Sequence, residues 1–117
     1  MAELLVYEKR TCSKCQELAE LLESRGIEFD RVDFHVDPLS EDEIREIVRK
    51  TGKPARNLFR ASVPAYEEHH LADREPEDDE AIALMAAHRQ LMQRPVVVRG
   101  DRAVLARPVE RVFELLD

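Results

Sequence analysis

The 117-residue chain contains no run of about 18 apolar residues, so no part of it can cross a bilayer as a helix. Its opening, Met1-Ala2-Glu3, lacks the basic start and long apolar stretch of a secretion signal, and the cytoplasm is the expected compartment. An excess of positive charge is also missing. Lys and Arg number 18 against 25 Asp and Glu, a formal net charge of −7. That balance argues against nonspecific nucleic-acid binding, which needs a cationic surface to displace counterions. Cysteine is scarce, with only Cys12 and Cys15. In a reducing compartment such a close pair points to redox or metal chemistry rather than to a structural staple. Repeats, low-complexity segments and linkers are absent, so one domain over residues 1–117 is expected. The apolar fraction of 44% suffices for a single core, and 37% charged residues make the exterior highly polar.

What charge there is lies unevenly. Between Glu67 and Glu80 eight acids, Glu67, Glu68, Asp73, Glu75, Glu77, Asp78, Asp79 and Glu80, face the single base Arg74. Between Arg94 and Arg111 five arginines outnumber Asp101 and Glu110. The acidic run is expected to be a solvated helix face. The arginine run in an otherwise acidic protein suggests a site for a small anion, set against the plainer reading of a solvated surface.

Hydrophobic periodicity orders the elements. Leu4-Leu5-Val6-Tyr7 fits a buried parallel strand. Leu18, Leu21 and Leu22 follow helical spacing, and Gly26 is placed to end that helix. Ile27 to Phe34 alternates, with a change of phase, as a second strand. Ser40 followed by Glu43 is a capping-box signature for a helix through Ile44, Ile47 and Val48 that closes at Gly52. Pro54 opens a short helix from Ala55 to Phe59. A further helix carries Ile82, Leu84, Met85, Leu91 and Met92, with a break near His88. Val96-Val97-Val98 and Ala103-Val104-Leu105 flank the turn Gly100-Asp101 as a hairpin. Pro108 begins a last helix whose apolar face is Val109, Val112, Phe113 and Leu116. The order is β-α-β, a helical insert over roughly residues 40–93, then β-β-α. That is the plan of a thioredoxin-like α/β fold with a mixed four-stranded sheet.

Cys12-Ser13-Lys14-Cys15 follows the first strand directly and starts a helix. The first N–H groups of a helix lack intrahelical partners, and the helix dipole adds partial positive charge there. A thiolate is favoured at such a point, and its pKa can fall by one to several units from about 8.5. Lys14 and Arg10 are expected to push the same way. Cys15, one turn along, is placed to attack a mixed disulfide on Cys12. Two other readings of the pair stand beside this one: a zinc site, or two inert buried thiols. Zinc needs about four ligands, and adjacent His69 and His70 rarely converge on one ion, so no metal is expected. His35 and His88 have no obvious partner and are expected at the surface.

Further residues carry a family resemblance over nearly the whole chain. They are Arg60 in Arg56-Asn57-Leu58-Phe59-Arg60, Tyr66-Glu67-Glu68, Leu71-Ala72, Arg94-Pro95-Val96-Val97-Val98 and Ala106-Arg107-Pro108. With Cys12, they resemble the arsenate reductase family of the ArsC type, which also contains the Spx-type transcription regulators. The resemblance implies that Arg60, Arg94 and Arg107 surround Cys12 and hold an oxyanion, and that Pro95 is cis beside it. The physical chemistry agrees, since planar guanidinium donors neutralise and orient an anion that would otherwise repel a thiolate. For Arg107 the alternative is a surface salt bridge with Glu110 or Glu114.

The chain also departs from the family. Arsenate reductases of this type usually read close to Asn-Pro-Ala-Cys, with a histidine a few residues upstream that acidifies the thiol. Here the segment is Glu8-Lys9-Arg10-Thr11-Cys12, and Glu8 stands near the place of that histidine. A carboxylate turned inward would oppose thiolate formation. Members specialised for arsenate commonly lack a second cysteine at Cys15. Spx-type proteins carry the pair but generally lack the Ala-Arg-Pro match.

Three functions follow as expectations. The first is an arsenate reductase-like enzyme with no tightly bound cofactor. Its Cys12 thiolate attacks an arginine-bound oxyanion, with glutathione and glutaredoxin or thioredoxin as reductant. The second is a glutaredoxin-like disulfide oxidoreductase using Cys12 and Cys15. The third is a redox-sensing regulator that binds RNA polymerase. The expected partners are arsenate and a thiol reductant, without direct nucleic-acid or membrane contact, and a monomer is expected.

Overall fold

A computed structural model describes residues 3–116; Met1 and Ala2, on which the absence of a secretion signal was judged, and Asp117 lie outside the described residues. Four strands form one mixed sheet: β1 (Leu4–Glu8), β2 (Phe29–Asp33), β3 (Val96–Arg99) and β4 (Arg102–Leu105), in the order β2-β1-β3-β4. β1 is parallel to β2 and antiparallel to β3, which continues antiparallel into β4. Leu4 faces Phe29, Val6 faces Val97, and Val97 faces Val104. The helices are α1 (Ser13–Ser24), α2 (Glu41–Thr51), α3 (Pro64–Glu68) and α4 (Asp78–Ala87). Shorter 3₁₀ segments span Ala55–Leu58, Arg89–Leu91 and Val109–Leu115.

Side-chain alternation along the strands assigns a core to each face of the sheet. On one side Leu4, Val6, Val97 and Val104 pack against Leu18 and Leu22 of α1 and against Val109, Val112 and Leu115. On the other, Val96 joins Phe34, Ile44, Ile47, Val48, Ala81, Ile82 and Met85 from the insert, with Tyr7 and Leu105 partly buried against them. β1 is a central strand covered on both faces. Anything attached to its C-terminal end is therefore held from several directions.

Several helix ends form as the sequence predicts. α1 closes on Gly26 at φ 68°, with Gly26 N–H donating to the Glu23 carbonyl and Ile27 N–H to that of Leu22, both at 3.0 Å. That pair of bonds is a Schellman motif, and only glycine takes the left-handed turn without steric cost. At α2 both halves of the capping box are present. Glu43 N–H donates to Ser40 Oγ and Ser40 N–H to Glu43 Oε1, each at 3.1 Å.

Other elements differ from the expectation. The second strand is shorter than Ile27–Phe34 because Ile27 belongs to the Schellman motif. Phe34 leaves the ladder, donating its N–H to the Glu8 carbonyl at 3.1 Å. Ala55–Leu58 is 3₁₀ rather than α, with Pro54 just ahead of it. α3, which starts at Pro64, was not predicted. The last helix is 3₁₀ as well: Val109, Val112 and Leu115 are buried, while Phe113 and Leu116 are only partly so. Burial every third residue suits a helix of three residues per turn, not the 3.6 of an α-helix.

The insert returns to the sheet through a small main-chain clasp. Arg60 N–H donates to the Leu91 carbonyl and Gln93 N–H to that of Leu58, both at 2.7 Å, around a bridge between Phe59 and Met92. This fixes Arg60 beside the segment that enters β3. For the capping box, Ser40→Ala is expected to destabilise the protein by about 1 kcal/mol. A urea titration followed by circular dichroism checks this as a lower midpoint with an unchanged slope.

Candidate active site

Cys12 is the N-cap residue of α1, with extended backbone at φ −77° and ψ 125°. No side-chain oxygen caps the helix. The free N–H groups of its first turn therefore meet the Cys12 sulfur, which is only 8% exposed by residue. Burial by itself raises the pKa of Cys12. It is outweighed by the Cys15 N–H, the Arg94 guanidinium, the Cys15 thiol and the Lys14 N–H, which together lower it from 9.0 to about 7. Lys14 thus acts through its backbone. Its ammonium is paired with Glu17 at 3.2 Å. Arg10 is tied down by its backbone: its N–H donates to Asp33 Oδ2 and its carbonyl accepts from Gln16 Nε2, both at 3.1 Å.

Cys15 begins the buried stripe of α1, which continues through Leu18, Ala19 and Leu22. It is fully buried, and burial, the Cys12 sulfur and the charge of Glu8 push its thiol up to about 12 despite the N–H of Lys9. One turn of helix therefore separates a thiol poised to ionise from one held protonated. Both cysteines are buried and free, so burial alone does not tell an inert pair from a reactive one.

Arg107 and Arg94 reach Cys12 from different parts of the chain, and Arg60 lies close enough to feel its charge. Arg107, ahead of the last helix, places Nη2 3.8 Å from Cys12 Sγ and donates Nε–H to the Arg94 carbonyl at 2.7 Å. Glu114, one of the two acids open to a salt bridge with Arg107, is paired with Arg111. Arg94 is 5% exposed, and its Nε and Nη1 have no hydrogen-bond partner among the described residues. Arg60 is held below its ordinary pKa by burial and by the charges of Arg94 and Arg107, with Cys12 acting the other way. The Arg94–Pro95 and Arg107–Pro108 peptide bonds are both cis. Three like charges and two unused buried donors form a cluster that an oxyanion would neutralise through charge-assisted hydrogen bonds. The structure thus brings Cys12, Cys15, Arg60, Arg94, Pro95 and Arg107 to one place.

A family model described as the ArsC family matches residues 7–115. The chain belongs to the ArsC family. It is 31% identical over 115 residues to the uncharacterized protein YfgD of Escherichia coli strain K12, covering 97% of each chain. To an arsenate reductase of Escherichia coli it is 32% identical over 116 residues, covering 99% of this chain and 82% of that one. Among solved structures, an arsenate reductase from Vibrio cholerae superposes with a TM-score of 0.89 at 32% identity, covering 98% of both chains. The α/β architecture is that of the ArsC and thioredoxin-like proteins.

Three features of this ArsC-family chain were not foreseen. Glu8 does turn inward, but toward Arg31, whose Nε and Nη2 reach its two carboxylate oxygens at 2.7 and 3.2 Å. Its charge is among the influences that raise the pKa of Cys15. The alternation Leu4, Val6, Glu8 was the available signal, since it puts Glu8 on the face that meets α1. His35, expected at the surface, has both ring nitrogens buried without a hydrogen-bond partner among the described residues and packs 4.8 Å from the Phe34 ring. Burial, then the charges of Arg94 and Lys9, hold its pKa below the ordinary value. His88 faces His69 at 5.2 Å rather than standing alone. Among the described residues no three His, Cys, Asp or Glu are grouped to hold a metal.

A lowered pKa means that Cys12 gains its reactive, ionised form earlier as pH rises. Its alkylation by iodoacetamide is expected to increase with pH to a half-maximal rate near pH 7 and then level off, with Cys15 silent. Arg94→Met moves that midpoint toward the ordinary thiol value of about 8.5. Mass spectrometry of each cysteine's alkylation rate across pH checks both outcomes.

Proposed function

We propose that the protein is an arsenate reductase-like thiol oxidoreductase in which Cys12 is the nucleophile. The observation that carries this is the Cys12 sulfur lying 3.8 Å from Arg107 beside the buried, unpartnered Nε and Nη1 of Arg94. The relatives named as arsenate reductases support the same reading. Arg60, Arg94 and Arg107 bind the arsenate oxygens, offsetting the repulsion between substrate and thiolate. Attack on arsenic forms a sulfur–arsenic bond and releases one oxygen as water. The guanidinium donors also stabilise the charge that builds on the oxygens in the transition state.

A second thiol then attacks the Cys12 sulfur. The electrons of the sulfur–arsenic bond stay on arsenic, which leaves as arsenite, and the two sulfurs are left as a disulfide. Cys15, one helical turn away, supplies that thiol in this reading, with glutathione as the external substitute. Glutathione with glutaredoxin, or thioredoxin with its reductase, restores the dithiol. No tightly bound cofactor takes part, and the reaction takes place in the cytoplasm.

The position of Cys15 also favours a second reading, a glutaredoxin-like disulfide oxidoreductase that uses the same two sulfurs without the arginines. Arsenate-dependent NADPH oxidation, coupled in parallel through the two reductant systems, separates the two. The arsenate reading expects activity that falls to background in Cys12→Ser and by about 10²-fold or more in Arg94→Met. Cys15→Ser is expected to stop multiple turnover unless glutathione is supplied. No arsenate-dependent oxidation in either system, with Cys12 and Cys15 still closing readily to a disulfide, selects the second reading.

A further inference from the structure

Cys12 is delivered to α1 by one tight turn. Its N–H donates to the Lys9 carbonyl at 2.9 Å, closing Lys9-Arg10-Thr11-Cys12 as a β-turn directly after β1. Neither central residue, Arg10 nor Thr11, lies at positive φ, as in a type I turn. The closing bond of such a turn joins its first and last residues, so the N–H and carbonyl of Arg10 take no part in it.

Two side chains from outside the turn take up both groups. Asp33, the last residue of β2, accepts the Arg10 N–H on Oδ2, and Gln16 of α1 donates Nε2–H to the Arg10 carbonyl, each at 3.1 Å. The other oxygen of Asp33, Oδ1, accepts the His35 N–H at 2.9 Å. One carboxylate thus ties the turn after β1 to the turn after β2, where the parallel register sets Asp33 beside Glu8. Burial acts against its ionisation, but the N–H groups of Arg10, His35 and Val36 hold its pKa below the ordinary value. Hydrogen bonds to an ionised acceptor are stronger than those between neutral groups.

A negative charge close to a cysteine opposes its ionisation, so a carboxylate bonded two residues from Cys12 works against the site as a bare charge. As an acceptor it has the opposite effect. The Cys15 and Lys14 N–H groups and the Arg94 guanidinium favour the Cys12 thiolate only while the sulfur stays within hydrogen-bond reach of them.

We propose that Asp33 is a positioning residue for Cys12: by accepting the Arg10 N–H it fixes the turn that sets the Cys12 sulfur at the start of α1, with Gln16 holding the other side of Arg10. This rests on Cys12 being the reactive thiolate. Asp33 acts through the main chain. The titratable and charged groups around the two ends of the link are His35 and Glu8 beside Asp33, and Arg60, Arg94, Arg107 and Cys15 beside Cys12. The test leaves all of them in place.

The rate of Cys12 alkylation by iodoacetamide is measured against pH on the reduced full-length protein. In Asp33→Ala the midpoint is expected to rise from near 7 by about one unit, so that the rate at pH 7 falls about fivefold. Loss of a negative charge alone would lower the midpoint, so the direction separates positioning from charge. Proline at the second position of a type I turn fixes φ near −65° and needs no partner for an N–H. Arg10→Pro added to Asp33→Ala, where no carboxylate crowds the ring, is therefore expected to restore the wild-type midpoint, while Arg10→Ala in the same background leaves it raised. A bond of merely structural worth would lower the urea midpoint of Asp33→Ala and leave the alkylation profile unmoved. Asp33→Asn keeps the volume but offers one acceptor oxygen to two N–H groups; it should raise the midpoint by less, and it replaces the alanine variant if that folds poorly. A midpoint that is unmoved or lowered, or one that Arg10→Pro fails to restore, overturns the proposal. A wild-type midpoint at the ordinary thiol value of about 8.5 overturns instead the reactive-thiolate reading on which it rests.

Discussion

An ionised sulfur inside a protein survives only where the local donors outweigh the lost water, and Cys12 is such a place. Burial is the largest single influence on its pKa and acts against ionisation. The compensation comes from two backbone N–H groups at the start of α1 and from Arg94, none of which would be near the sulfur without the fold around it. β1 must end where α1 begins. The segment entering β3 must bring Arg94, and the exit from β4 must bring Arg107. The hydrogen bond from Arg107 to the Arg94 carbonyl then joins two segments that are distant in sequence, so the guanidinium groups are placed relative to one another as well as to the cysteine.

The same helix gives its second sulfur the opposite character. Cys15 sits on the inward stripe of α1, fully buried, and is kept as a thiol. The readily ionised sulfur and the protonated one are thus distinguished by which side of one helical turn they occupy. The departure from the family at Glu8 is met by Arg31, whose two hydrogen bonds pair that carboxylate with a positive charge.

Much of this was legible in the sequence where local chemistry decides the outcome. The capping box at Ser40, the left-handed turn at Gly26 and the break at His88 each depend on a few neighbouring residues, and each formed. The arginines were legible only through the family, since nothing local to Arg60, Arg94 or Arg107 says that they meet. What escaped was set by long-range packing. Val109, Val112, Phe113 and Leu116 fit an α-helical face as a pattern, but the space beside α1 took residues three apart. Arg31 reads as one more exposed arginine on a short strand until the parallel register lays it against β1. His35 carries no local mark of burial, because Phe34 draws the chain inward behind it. Lys14 was credited with its side-chain charge, whereas its amide is the group that faces the sulfur.

The clasp that returns the insert to the sheet is built from main-chain atoms alone, Arg60 to Leu91 and Gln93 to Leu58. Such a fastening leaves no mark in residue identity. The helices between its two halves are free to diverge in composition, and to lengthen or shorten, while Arg60 keeps its bearing on Cys12. What fixes this side of the pocket is a backbone alignment rather than a set of side chains.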